Sequence, residues 1–82
     1  MSPAAYELLA KAYANYKKSG SKHNSIIVSG DANKITLTKN AFKQLADSGY
    51  IENVSEFRIG FTPVEFDISE SGIEYMRLNG EF

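Results

Sequence analysis

The chain has 82 residues, 43% of them hydrophobic and 23% charged, with five Tyr, five Phe and no Cys. That is enough apolar material for one core and little more; it excludes a disordered chain, a disulfide framework and a thiolate metal site. The formal net charge of -1 hides a split, because residues 1–43 hold seven lysines against Glu7 and Asp31 and residues 44–82 hold Arg58 and Arg77 against eight acids. Such asymmetry predicts opposed electrostatic faces unless the fold interleaves the two halves.

"SPAAYELLAKAYANYKKSG" reads as the first helix, with Ser2 as N-cap, Pro3 at the first helical position and Gly20 as the stop. Ala5, Leu8, Leu9, Ala12, Tyr13 and Tyr16 recur at three- and four-residue steps and form its apolar stripe, while Glu7 and Lys11 pair on the other side. Lys17 and Lys18 fall in the last turn, where the helix dipole favours them. The segment has neither a basic leader followed by an apolar run nor a stretch able to cross a bilayer, so a cytoplasmic location is expected.

After the polar connector "SGSKHNS", "IIV" at 26–28 is expected to be a small strand. "SGDANKIT" carries turn chemistry and has two readings. One is a short helix capped by Asp31, which is preferred; the other is the loop of a hairpin between Ile26–Val28 and Ile35–Leu37. In "LTKNAFKQLADSGYI", Thr38 is the expected N-cap of a helix from about Thr38 to Ser48, with Leu37 stapled onto Phe42. Phe42, Leu45 and Ala46 form its expected buried face, and Gly49 supplies a left-handed end. At about 100° per residue, Asn40, Gln44 and Asp47 lie nearly opposite Phe42, with Lys43 beside them and Lys39 nearer the boundary.

"FRIGF" alternates Phe57, Ile59 and Phe61 with Arg58 and Gly60, and "VEFDI" alternates Val64, Phe66 and Ile68 inward with Glu65 and Asp67 outward. A hairpin joining Phe57–Phe61 to Val64–Ile68 through a turn at Pro63 is expected. "SESGIEYMRLNG" gives a last helix capped by Ser69, with Glu70 in the first turn, Ile73 and Met76 buried and a stop at Asn79–Gly80. Gly72, a helix-breaking choice in that first turn, is read as a packing device that lets a neighbouring backbone approach.

The order helix, strand, short helix, helix ending in "SGYI", hairpin, helix is that of a winged-helix domain. "LADSGYI" looks like the close of such a domain's third helix. "ISESGIEYMRLNG" resembles the "LTxKGxxYLxxNG" ending of the YjcQ-like family of small winged-helix proteins from Gram-positive bacteria and their prophages, at Ile68, Ser69, Gly72, Tyr75, Met76, Asn79 and Gly80. The two matches cover about the last half of the chain. The resemblance implies an α+β, winged-helix-like fold over residues 1–82, built as a three-helix core with a β-hairpin wing and a C-terminal helix. It also implies a cytosolic, phage-derived context.

Three function classes follow. Double-stranded DNA binding by a transcription-regulator-like protein rests on Lys39, Asn40, Lys43 and Gln44, which can reach phosphates or base edges from an outward helix face, with Lys34 and Arg58 on phosphates. Against it stand Asp47 within that face and a wing whose only cation is Arg58. The alternative is a non-catalytic interaction module, a phage or host regulator or inhibitor, that offers Glu52, Glu56, Glu65 and Asp67 to a basic protein partner, with Tyr6 and Tyr75 as aromatic contacts. A homodimer through the terminal helices is a variant of it. Enzyme activity is the disfavoured class. His23 is the sole histidine and reads as a solvated loop residue, "SGDANK" falls far short of a phosphate-binding loop, and neither a cofactor nor a metal site is expected.

Overall fold

Three short polar side chains start the three helices of the computed structural model, which describes residues 1–80. The Ser2 hydroxyl accepts the Ala5 N–H at 3.1 Å and opens α1 (Pro3–Ser19). The Asp31 carboxylate accepts the Lys34 N–H at 2.8 Å and opens α2 (Ala32–Asp47), and the Ser69 hydroxyl accepts the Gly72 N–H at 3.0 Å and opens α3 (Glu70–Asn79). Each satisfies a first-turn donor that has no partner inside its helix. α2 ends as expected at Gly49, whose φ of +78° lets its own N–H reach Ala46 O and the Tyr50 N–H reach Leu45 O, both at 3.0 Å.

The expected break at Leu37–Thr38 is not there. The short helix capped by Asp31 and the helix expected to begin at Thr38 are one rod of 16 residues, and the alternative hairpin through Ile35–Leu37 is not formed. Between Asp31 and Ser48 the sequence holds neither Gly nor Pro, so nothing forces the backbone out of the helix. Thr38 then has no open N–H groups to cap, and its hydroxyl donates back to the Lys34 carbonyl at 2.9 Å. Leu37 does not staple onto Phe42 but stands outside, 58% exposed. Ala46 is likewise exposed, and Ala41 takes its place in the buried face with Phe42 and Leu45.

Three strands form one antiparallel sheet in the order β1-β3-β2: β1 (His23–Ile26), β2 (Ile51–Glu52) and β3 (Val64–Ile68). β3 alternates as expected, with Val64, Phe66 and Ile68 buried and Glu65 and Asp67 turned away from the core. The first strand lies three residues earlier than expected, because its register is dictated by β3: His23 faces Asp67 and Ile26 faces Val64. The expected strand Phe57–Phe61, and with it the hairpin, is absent. β3 has two edges, and both are taken. β1 lies along one, and on the other β2 pairs with Asp67 and Ile68 while the Ser55 N–H donates to Glu65 O at 2.8 Å. Residues 53–63 therefore run as an irregular segment, started by Asn53 at φ +55° and tied at its far end by the Gly60 N–H to Val28 O at 3.0 Å.

The core joins the α1 stripe (Ala5, Leu8, Leu9, Ala12 and Tyr13) to the inward residues of α2, β3 and α3. Tyr16, Tyr6, Tyr75 and Ile73 pack on its margin, half-buried. At its centre Phe42 meets Phe66 edge to face, with ring centroids 5.3 Å apart. Gly72 behaves as the sequence predicts: a Cβ there would collide with the Tyr50 carbonyl oxygen, which accepts the Ser69 N–H at 3.0 Å. The result is an α+β protein of three helices and a three-stranded antiparallel sheet among the described residues.

Candidate nucleic-acid interface

α2 carries Lys39, Asn40, Lys43 and Gln44 on its solvent side, all exposed, with Asp47 as its last residue; Lys34, also exposed, lies near its start on the side that faces α1. Sixteen residues extend this face over roughly 24 Å. Fusion of the two expected helices thus brings Lys34 onto the same rod as the other four. Among the described residues no side-chain hydrogen bond or ion pair holds Lys39, Asn40 or the Lys34 ammonium. Lys43 pairs with Asp47 one turn on at 2.9 Å, and the Gln44 side-chain oxygen accepts the Ser2 N–H at 2.8 Å. The exposed i,i+4 pair is worth about 0.3–0.5 kcal/mol, little enough for a phosphate to compete with it.

The other cations do not gather here. Lys22 forms an ion pair with Glu70 in the first turn of α3, which raises its pKa, chiefly through that hydrogen bond. Arg58 pairs with Glu56 at 3.2 Å within the 53–63 segment. Lys17 lies over the Tyr13 ring, 5.6 Å from its centroid.

Three acids of the second half collect on the far side of the core. Because Phe66 points inward against Phe42, the alternation of β3 sends Glu65 and Asp67 outward, away from α2. Register places Glu52 beside Asp67 on this outer face, so three of the four acids singled out for a partner share it; Glu56 lies in the following segment. His23 is not a loop residue but the first residue of β1, and it crosses to both β3 acids. Its Nδ1 lies 3.1 Å from Asp67 Oδ1 and its Nε2 lies 3.0 Å from Glu65 Oε1. Both contacts are hydrogen bonds only when both ring nitrogens carry protons, so the pair of carboxylates, Asp67 first, raises the His23 pKa. Asp67 also accepts the Asn53 side-chain amide at 2.9 Å, and this bond, followed by that from His23, lowers its own pKa.

Sequence reasoning missed this cluster. The two acids two residues apart on a strand were visible, but their neighbour depended on which segment would lie alongside. Among the described residues no group of three or more His, Asp and Glu is arranged to hold a metal ion, and no helix is long and apolar enough to cross a membrane. Compared with known proteins, the chain matches no family model, no curated protein and no solved structure.

Proposed function

We propose that this chain is a small double-stranded-DNA-binding, transcription-regulator-like protein that presents α2 to the duplex. One observation carries the reading: the solvent face of α2 holds Lys39, Asn40, Lys43 and Gln44, with a single acid, Asp47, paired to Lys43 at its end, while Glu52, Glu65 and Asp67 lie on the opposite side of the core. A polyanion meeting this molecule is drawn to α2 and repelled from the sheet. Lys39 and Lys43 serve phosphates or guanine edges, and Asn40 and Gln44 suit adenine in a major groove; Lys34, on the side of α2 that faces α1, drops from that set. Arg58 lies off α2, in the 53–63 segment, and is not among the central contacts. The sheet order β1-β3-β2 supports a winged-helix-like arrangement, of the YjcQ-like kind, whose second and third helices are one rod and whose wing is the irregular 53–63 segment.

Selection from a pool of random duplex DNA, at low and at near-physiological salt, tests this. A motif that stays enriched at the higher salt is expected. Lys39→Glu with Lys43→Glu should abolish retention without altering the circular dichroism spectrum; unchanged affinity in that folded variant removes α2 from the mechanism. A second reading, a non-catalytic module for a basic protein partner, is favoured by the row His23–Asp67–Glu52 across the exposed sheet. Charge reversal at Glu65 and Asp67 would break such a complex and leave DNA retention intact.

A further inference from the structure

In the order β1-β3-β2, β1 is an edge strand, and two hydrogen bonds fix which of its peptide groups face the sheet. The Ile68 N–H donates to Lys22 O at 2.9 Å and the Gly60 N–H to Val28 O at 3.0 Å, so the even-numbered residues from 22 to 28 turn toward β3 and the segment leading into it. By the alternation of an antiparallel ladder, His23, Ser25 and Ile27 turn their N–H and C=O groups outward. The chain covers the first of these itself. The His23 N–H donates to the Ser21 hydroxyl and the His23 carbonyl accepts the Asn15 side-chain amide, both at 3.2 Å. The backbone groups of Ser25 and Ile27 have no hydrogen-bond partner among the described residues. Both residues are exposed, Ile27 by 52%.

The space beside this edge is a groove whose far wall is α1. Lys11, Ala12 and Asn15 line it opposite His23–Ile26, and Leu8 and Lys11 line it opposite Ile26–Ser29, so it follows the edge along its length. At the Ser29 end it opens into a hollow of about 340 Å³ that α2 bounds with Lys34, Leu37 and Ala41. Leu8, Ile26, Leu37 and Ala41 make this hollow apolar. Its charges are unequal in availability: Lys11 is paired with Glu7 at 3.6 Å, whereas the Lys34 ammonium has no ion-pair partner among the described residues. The free charge at the hollow is therefore positive, and it is complementary to a carboxylate.

Outward peptide groups at every second residue of an edge are satisfied by another extended backbone. We propose that the β1 edge is a docking groove for an extended acidic segment of a partner protein, which pairs with Ser25 and Ile27, seats an apolar side chain among Leu8, Leu37 and Ala41, and sets a carboxylate against Lys34. The hollow and Lys34 both lie on the α2 side of the sheet. Side chains on one face of a strand are two residues apart, so the segment carries an apolar and an acidic residue at that spacing. The proposal stands independently of the DNA reading, which uses the solvent face of α2.

Selection of displayed random peptides on the purified 82-residue chain tests it. Enriched peptides are expected to share an apolar and an acidic residue two positions apart. Ile27→Pro removes one outward N–H and no bond to the sheet, and should weaken the best peptide about tenfold. Lys34→Glu, at an exposed side chain, should weaken it by a similar factor with an unchanged thermal midpoint, and it decides the matter if Ile27→Pro fails to fold. Lys39→Glu with Lys43→Glu should leave peptide affinity intact. No enrichment, or enrichment without that pattern, overturns the proposal, as does a peptide that binds Lys34→Glu as tightly as the wild type. A wild-type chain that sediments as a dimer and is split by Ile27→Pro also overturns it, by giving the edge to a second copy.

Discussion

Phe42 on α2 and Phe66 on β3 meet edge to face, with ring centroids 5.3 Å apart and planes at 82°, and this contact fixes which way both elements turn their charges. With the two rings facing each other, Asn40 and Gln44 of α2 point away from the acids of β3, with Lys43 beside them. Removing Phe66 should cost about 3–5 kcal/mol, against a total stability of roughly 4–12 kcal/mol for a chain of this length. Urea denaturation of Phe66→Ala is expected to show a largely lost folded baseline; a loss below about 1 kcal/mol would mean that the ring is not central to the core.

Gly72→Ala sets two effects against each other. Alanine is the better helix former by about 1 kcal/mol in a helix interior, but its Cβ would meet the Tyr50 carbonyl oxygen and the Ile68 side chain. Overpacking against backbone costs about 1–3 kcal/mol, and the Ser69 bonds to Tyr50 and Gly49 resist any retreat. A net drop is expected, visible as a thermal midpoint lowered by several degrees, whereas the exposed Ser71→Ala should leave it nearly unchanged. An unaltered midpoint for Gly72→Ala would show that α3 can move away from Tyr50.

The continuity of α2 is open to direct test through its caps. Asp31→Ala removes the side chain that accepts the Lys34 N–H, and should cost about 1 kcal/mol. Thr38→Ala removes only a hydroxyl that bonds back to its own helix, and should be neutral or slightly stabilising. A Thr38→Ala loss equal to that of Asp31→Ala in chemical denaturation would restore two helices in place of one.

His23 gives the sheet a pH dependence. Its raised pKa means that the protonated ring is bound more strongly in the folded state, so its contribution is complete below the ordinary value near 6.5 and fades as pH rises through the folded value. Asp67 has a lowered pKa, and its contribution is present above the usual carboxylate range and fades as pH falls through the folded value. Both act together between about pH 4 and 6.5. Thermal melts of the wild type should decline on the alkaline side of that window. His23→Gln should remove this decline while leaving the acid limb, to which Asn53 still contributes; an unchanged alkaline limb would detach His23 from it.

Much of the local structure was legible because it rests on neighbours in sequence. Ser2, Asp31, Ser69, Gly20 and Gly49 act within one turn of themselves, and the alternation of Val64, Phe66 and Ile68 needs only the pleat of β3. The outward lysines of α2 followed from helical geometry alone. The structure's departures in the sheet depend on partners distant in the chain. Phe57–Phe61 alternates like a strand, but strand pairing needs a free edge, and β1, β2 and Ser55 had taken both edges of β3. His23 found its carboxylates because β1 lies against β3 in one register and not one residue away. Thr38 looked like a cap, and became helix interior because the residues before it were already helical from Asp31. Local hydrogen bonds and periodicity thus set where the helices stop and which faces they bury. Competition among non-local partners decided which apolar side chains were left without cover.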